Sequence, residues 1–329
     1  MNFPTDIKAI LNRVQQTDPV KYAATRNFTK GDVTYLSPYI SRGVISGKQV
    51  LSAVIEKGYC REDTLKFIQE LAWREYFQRT WQQLEDDIFT DILVNRNGIT
   101  NRRIPAAMVQ AKTGIHAIDD GIKQLYETGY LHNHLRMYVA SVTCNLARSY
   151  WDLPSQWMYY HLLDGDIASN TCSWQWVAGN FSSKKYYCNQ ENINRYTQTQ
   201  QHNTFLDKPY EMLFDMPVPE KLTDLVNLEL EVTLPESEKP CFDTGKPLLI
   251  YNSYNLDPFW RAEELVNRVL LLEPSHFKNF PVSNKVIHFI LSLAKNIPGI
   301  QVFTGEAVDI PGIHHFPAVI SKEHPAFKH

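Results

Sequence analysis

Leu162-Leu163-Asp164-Gly165-Asp166-Ile167-Ala168-Ser169-Asn170-Thr171-Cys172-Ser173-Trp174-Gln175-Trp176-Val177-Ala178-Gly179-Asn180 is the stretch on which the reading of the chain turns. An apolar entry leads into two carboxylates around a glycine, then amide side chains, then two tryptophans separated by one residue. A plain core helix is not built this way. Asp164 and Asp166 cannot share a helix face at that spacing, so Gly165 is expected in a turn that lets both carboxylates converge on one pocket. Buried carboxylates need partners, so something polar and flat is expected against this stretch.

The run DGD-x-A-x-N-x-x-x-W-Q-W resembles the flavin-cradling segment of the DNA photolyase and cryptochrome family, with Asp164, Asp166, Asn170, Trp174 and Trp176 on the pattern. The resemblance implies FAD as cofactor, Asp164 and Asp166 among its ligands, Asn170 beside the flavin N5 and Trp174 behind the ring. Upstream, Gly129-Tyr130-Leu131-His132-Asn133-His134-Leu135-Arg136-Met137 is similar to the family's G-W/Y-M-H-N-R-x-R-M. Asn133, Arg136 and Met137 are expected on one side of a pocket-lining helix, and in the family this arginine pairs with the first Asp of the turn, here Asp164. A guanidinium suits that task because its planar fork holds a carboxylate and keeps it ionised. His134 stands where the family commonly has an arginine that touches DNA phosphate or substrate, which weakens the DNA-repair reading specifically.

Residues 63–84 form the clearest helix of the sequence, with Phe67, Glu70, Trp73, Arg74, Phe77 and Trp81 at three-and-four spacing. The string Glu70-Leu71-Ala72-Trp73-Arg74-Glu75-Tyr76-Phe77 resembles the family's E-L-x-W-R-E-F/Y-Y/F helix. That implies Glu70 and Trp73 at the substrate cavity and Arg74 near the flavin phosphates; a surface Glu-Arg pair beside a Trp-filled core is the plainer alternative. Nearer the start, Gly31 to Ser46 contains two helix openings, at Ser37-Pro38 and at Ser46. Helix N-termini and small hydroxyls bind phosphate, and the stretch resembles the family's FAD phosphate-binding segment. Tyr22, Thr34, Tyr35, Leu36 and Ser37 are the contacts this implies, with Val33 where a hydroxyl is usual. Taken alone, the stretch reads equally as two capped helices.

Trp151 lies 23 residues before Trp174. In the family this is the spacing of relay tryptophans that feed electrons toward the flavin; for Trp151 by itself, core packing is the ordinary reading. The outer member of such a relay has no obvious tryptophan, since none occurs between Trp81 and Trp151, which leaves a tyrosine to serve or less efficient photoreduction. A helix is expected over Asn145–Tyr150, ending at Trp151. Lys112-Thr113-Gly114 gives a weak family match, Asn95-Arg96-Asn97-Gly98 reads as a turn, and Lys184-Lys185 reads equally as a solvated turn or a phosphate contact.

At 329 residues, with 7 Trp, 17 Tyr and 16 Phe, the chain is long enough for two cores and rich in aromatics. No apolar run reaches spanning length and the first residues lack a basic start followed by an apolar stretch, so a cytoplasmic protein is the default. The five cysteines are scattered without a C-x-x-C pair, which argues against a disulfide framework or a zinc site. Residues 1–200 hold 22 Lys+Arg against 19 Asp+Glu, and the remainder 11 against 17. That mild asymmetry does not announce a nucleic-acid binder.

Residues 3–16 read as a helix, and 216–245 as an acidic, Pro-rich linker holding an alternating edge strand around Val226–Val232. Beyond it, Pro247–Tyr251, Arg268–Leu272 and Ile300–Phe303 are short apolar runs, with a helical period over Ser283–Lys295. This is βαβ patterning that stops after about three strands, thin for an independent core. The expected architecture is mainly α: a photolyase-like helical FAD-binding domain over 1–215, the linker, and a small α/β, Rossmann-like domain over 246–329 whose few strands are compatible with a truncated domain. The function implied is light-driven electron transfer from reduced FAD to a flipped pyrimidine dimer in damaged DNA. Glu70, Trp73, Asn133, Met137, Trp151 and Trp174 are the candidate catalytic residues, no metal is expected, and an antenna chromophore is compatible with the family. The alternative is a cryptochrome-like photoreceptor or redox flavoprotein without repair activity.

Overall fold

The structure is a computed structural model that describes residues 2–94, 98–236 and 239–327. The turn read at Asn95–Gly98 lies outside the described residues but for Gly98. The first helices are α1 (Ile7–Gln15), α2 (Pro19–Thr25), α3 (Ser37–Ser41), α4 (Gly47–Ile55) and α5 (Arg61–Leu84). After them come β1 (Ile104–Pro105), α6 (Ala106–Val109), α7 (His116–Thr128), α8 (Asn133–Ala140), α9 (Asp152–His161), α10 (Ile167–Ala178), α11 (Gln190–Thr197) and α12 (Tyr210–Phe214). The chain closes with β2 (Leu225–Val226), β3 (Leu248–Tyr251), β4 (Asn267–Leu272), α13 (Pro274–Asn279), α14 (Asn284–Ala294), β5 (Ile300–Thr304) and β6 (Val319–Ser321). The fold is therefore mainly helical with a small parallel α/β part, and among the described residues no helix is long and apolar enough to cross a membrane.

Local chemistry sets many of these boundaries. The α1 helix starts six residues in, not at Phe3, because the Asp6 carboxylate accepts from the Ala9 amide at 3.0 Å. Asp18 caps α2 with Pro19 at its first position, and Ser46 and Gln49 close a reciprocal capping box on α4. Both α7 and α10 stop at glycines in the left-handed region, Gly129 at φ 72° and Gly179 at φ 82°.

Two compact units emerge, each assembled from separate segments: Met1–Thr17, Thr34–Tyr59 and Leu230–His329 in the first, Asp18–Val33 and Cys60–Glu229 in the second. This division differs from the boundaries expected at 215 and 246, because α1, α3 and α4 cluster with the C-terminal α/β part. The Asn296 side chain accepts from the Ile7 amide at 3.0 Å and donates to the Thr5 carbonyl at 2.6 Å. The Leu256 amide donates to the Arg42 carbonyl, and Tyr39 meets the Phe289 ring at 6.1 Å. Bonds between residues almost 300 positions apart leave no local mark in a sequence.

Within the first unit the sheet has four strands in the order β5-β4-β3-β6, all parallel. The pattern expected three. The fourth, β6, is three residues long and half exposed, too short and too polar in its surroundings for period alone to reveal. Leu248, Leu249, Val269 and Leu270 are fully buried, and α14 presents Val286, Ile287, Ile290 and Leu293 as its buried face.

In the second unit α10 packs against α5, α8 and α9, and α2 lies along α5. Where a helix was expected over Asn145–Tyr150, α8 instead runs on as a π-helical turn over Ser141–Leu146, all six residues buried. Asn145 holds it by donating to the carbonyls of Val177 at 3.1 Å and Tyr186 at 2.7 Å. Arg148 then takes φ 56°, and Trp151 becomes the residue capping the start of α9 rather than the end of a helix. Of the alternating run around Val226–Val232, only Leu225–Val226 pairs, antiparallel to Ile104–Pro105. The cysteines are free thiols, with Cys144, Cys172 and Cys188 buried.

His276, at the start of the first unit's α13, is buried against Phe327 (centroids 4.6 Å) and Phe277 (5.0 Å), and neither ring nitrogen has a hydrogen-bond partner among the described residues. Burial, then the neighbouring His324 and Arg42, depress its pKa from 6.5 to about 3. Below pH 6.5 the unfolded chain takes up a proton that the folded ring refuses, so stability is full above 6.5 and falls as pH drops toward the folded value, by roughly 1.4 kcal/mol per pH unit. H276F removes that dependence. Urea unfolding at pH 6.5 and pH 5 is expected to show the wild type losing about 2 kcal/mol more than the variant across the interval; equal losses would refute it.

Candidate functional site

The turn between α9 and α10 takes two carboxylates out of water and gives each its own arginine. Asp164 and Asp166 have side chains only 4% and 3% exposed. Arg136, on α8, reaches Asp164 through Nη2, 2.9 Å from Oδ1 and 2.8 Å from Oδ2, while its Nε donates to the Leu131 carbonyl at 2.8 Å. One nitrogen thus serves both oxygens, and the rest of the fork anchors the arginine to its own helix start. Arg74, on α5, donates from Nη2 to Asp166 Oδ2 at 2.9 Å, and Gln78 one turn on donates to the same oxygen at 2.6 Å. The other Asp166 oxygen accepts from the Ser169 amide at 2.8 Å, making it the cap of α10.

Gly165 is needed for a different reason from the one its neighbours suggest. It is not among the left-handed glycines; instead a Cβ there would stand 3.1 Å from the Leu162 carbonyl and from the Tyr159 ring. Close approach, not backbone freedom, is what favours the glycine.

One turn into α10, the Asn170 amide donates to the Ser155 carbonyl of α9 at 2.9 Å. The Ser169 hydroxyl beside it is buried with no partner among the described residues. Trp174 is 3% exposed and shares the unit's main core with Trp151, Met137 packing against that core from its edge. On α5, Glu70 is closed by Arg26 and Lys66, each at 3.2 Å, while Trp73 is 50% exposed. Tyr22 sets its ring edge-on to Phe67 at 5.2 Å, and burial, with Glu70 nearby, pushes its hydroxyl up to about 12. Asn133 is exposed at the start of α8. His134 is half-buried against Tyr196 (4.5 Å) and Tyr138 (4.9 Å), and burial, then Arg26, lowers its pKa to about 4. The ring is neutral at pH 7 and brings no positive charge to a phosphate. Lys184 is exposed and Lys185 half-buried.

Thr34, Tyr35, Leu36 and Ser37 fall in the first unit. There Thr34 accepts from the Leu36 amide at 3.4 Å, Tyr35 takes φ 52° and offers its carbonyl to Arg13, Leu36 is buried, and Ser37 opens the five-residue α3. Sequence reasoning missed Gln78, Arg26 and Asp91. Gln78 carried a signal, since it sits four residues from Arg74 on the same face. Arg26 and Asp91 lie in segments with no period and had none.

Residues 67–208 match the family model of the FAD binding domain of DNA photolyase, and FAD is the cofactor that this match supports. The chain is 31% identical over 167 residues to a deoxyribodipyrimidine photo-lyase of Synechococcus sp., covering 48% of this chain and 34% of that protein. It is 30% identical over 166 residues to the deoxyribodipyrimidine photo-lyase of Vibrio cholerae, covering 48% and 35%. The chain therefore spans about a third of the length of these relatives. Its fold resembles the crystal structure of the cryptochrome of Synechocystis sp. PCC6803, with TM-score 0.55 and 24% identity over 60% of this chain and 44% of that one.

Removing the arginine from such a pair leaves a buried charge uncompensated. R136M is expected to lose roughly 3 kcal/mol in urea unfolding, and R136M/D164N to recover most of it, because two neutral groups avoid the desolvation cost. Equal stability of wild type and R136M would show that the pair carries no such role.

Proposed function

We propose that the second unit binds FAD against the Asp164-Gly165-Asp166 turn and that the chain is a photolyase-type, light-driven DNA repair flavoprotein acting on pyrimidine dimers. The observation that carries this reading is the doubled arginine-carboxylate closure at the turn; on the helix that supplies Arg74, Trp73 is half exposed. The residues fit the cofactor: carboxylates and amides suit hydroxyl and N–H donors, and the buried Ser169 hydroxyl still has bonding capacity. Reduced FAD, when bound, supplies on light absorption the electron that splits the dimer.

The protein's own residues bind, orient and exclude water. Arg136 and Arg74 hold Asp164 and Asp166 fixed in place, and Asn170, tied through its amide to α9, is oriented for the reactive edge of the ring system. Trp73 offers a flat apolar face to an extruded pyrimidine dimer, the kind of contact that stacking proteins use on unpaired bases. Glu70 stands one turn away as the polar contact to the lesion, its charge tempered by Arg26 and Lys66. Met137 and Asn133 complete the α8 side.

A second reading, a cryptochrome-like photoreceptor without repair activity, is favoured by His134 alone, whose neutral ring lacks a phosphate-binding charge. The two are separated by loading the protein with FAD, reducing it, and exposing it with ultraviolet-irradiated single-stranded oligonucleotide to blue light. The repair reading expects light-dependent loss of dimers and, for W73A, lesion binding at least about tenfold weaker. A flavin that photoreduces while dimers persist and damaged and intact DNA bind alike would replace it with the sensor reading.

A further inference from the structure

In the first unit the chain runs from β3 through β4 to β5 on one side of the sheet, and β6 then returns to pair with β3 on the other. In open parallel sheets, ligands reach the carboxyl ends of the two strands where the order reverses in this way. Here those ends are covered by residues 322–327, the segment that follows β6. Lys322 pins its root, Nζ donating to Asp257 Oδ2 at 3.0 Å and lying 5.3 Å from the centre of the Trp260 ring. Beyond it, His324 lies flat on Tyr254, which follows β3, with centroids 4.3 Å apart at 5°, and Phe327 lies on His276 at 4.6 Å and 30°. The segment folds back on itself through His324, whose Nδ1 accepts from the Ala326 amide at 3.2 Å and whose carbonyl accepts from the Phe327 amide at 2.9 Å.

We propose that residues 323–327 are a proton-operated strap, which covers the carboxyl ends of β3 and β6 while His276 and His324 are neutral and releases them when the two rings take up protons. Each ring is held in a form that protonation destroys. A proton on His324 Nδ1 turns the acceptor for Ala326 into a donor, so two N–H groups face each other and the turn loses the bond that closes it. His276 is 6% exposed, set among the rings of Phe327, Phe277, Phe280 and Tyr254, and neither of its nitrogens has a partner among the described residues. A charged imidazole there has nothing to bond to. Phe327 belongs to the strap, and moving it admits water to the ring.

The charges set against His276 come from other elements. Arg42, at the end of α3, lies 5.6 Å from the centre of the Tyr254 ring on which His324 stacks, and His324 and Arg42 both oppose a positive charge on His276. On its own helix, Glu273 at the cap position makes no bond to the ring, and Lys278 is exposed. Burial first, then His324 and Arg42, hold the His276 pKa at about 3 with the strap down, whereas a histidine reached by water returns to about 6.5. A pKa lower in the closed form than in the open one means that acid favours opening: closure is at full strength above pH 6.5 and weakens as pH falls toward the closed-form value. One such histidine raises the open population about tenfold between pH 7.5 and 5.5. The Asn255 amide, in the loop after β3 and 4% exposed, also has neither atom bonded among the described residues, so release gives water to a second group that closure leaves unpaired.

The test is amide hydrogen exchange of the full chain at pH 7.5, 6.5 and 5.5, each rate divided by the intrinsic rate of the same amide at that pH. In wild type the Ala326 and Phe327 amides are expected to lose protection by at least about tenfold between pH 7.5 and 5.5, while the amides of β3 and β4 keep theirs. H276F keeps a ring against Phe327 but takes no proton, and its strap is expected to respond at least about tenfold less than that of wild type. H324N keeps an acceptor for the Ala326 amide without a titrating group, and H276F/H324N is expected to change by less than about twofold over the same interval. Protection of β3 and β4 at pH 7.5 reports whether each variant is folded, and the wild-type profile tests the strap where one is not. Strap protection that does not change with pH in wild type overturns the proposal. So does protection that is lost only together with that of β3 and β4, or a folded double variant that keeps the wild-type response.

Discussion

Two carboxylates two residues apart are buried in one turn, and neither is tolerable there without a cation brought from elsewhere in the fold. Arg136 comes from α8 and Arg74 from α5, so the turn ties together two helices that also pack against α10. The same turn starts α10 through the Asp166 cap, and α10 carries Asn170 and Trp174. Helix spacing, helix start and the orientation of the pocket-facing side chains are in this way consequences of one electrostatic requirement. In the first unit, the neutral Asn296 side chain ties α14 to the chain's first residues, and an ion pair joins Lys322 to Asp257 at 3.0 Å.

Beyond the turn, the chain departs from regular helix at the place where α8 gives way to a π-helical segment and then to the left-handed Arg148. That irregularity carries Tyr150 and Trp151 as neighbours out of phase with any helix, against Asp91. A regular helix over the same residues would turn consecutive side chains by about 100° and separate them. The π-helical turn keeps its own backbone bonds, the Ala147 amide donating to the Val142 carbonyl at 2.9 Å, while the Asn145 side chain ties it to the Val177 and Tyr186 carbonyls.

The parts of the site legible in the sequence are those in which residue type and spacing carry the chemistry. The α5 helix and the capped start of α4 are of this kind, since each depends on side chains close in sequence; the Arg136–Asp164 pair was legible through the family resemblance. Gly165 was legible as necessary but not for its reason, because a glycine demanded by a neighbouring ring looks the same as one demanded by a left-handed φ. Glu70 could be placed on its helix face, yet its closure by Arg26 joins residues 44 positions apart and has no local signature. The fourth strand and the clustering of α1, α3 and α4 with the α/β part are likewise tertiary facts that periodicity does not encode.

Everything follows from the claim that the doubly closed turn is where the flavin is held. The most direct measurement is titration of FAD against the cofactor-free protein by quenching of flavin fluorescence, for wild type and for D164N and D166N. The account expects saturable binding by wild type, weakened at least about tenfold in each variant, as the loss of a charge-assisted hydrogen bond implies. Wild-type affinity in both folded variants would contradict it.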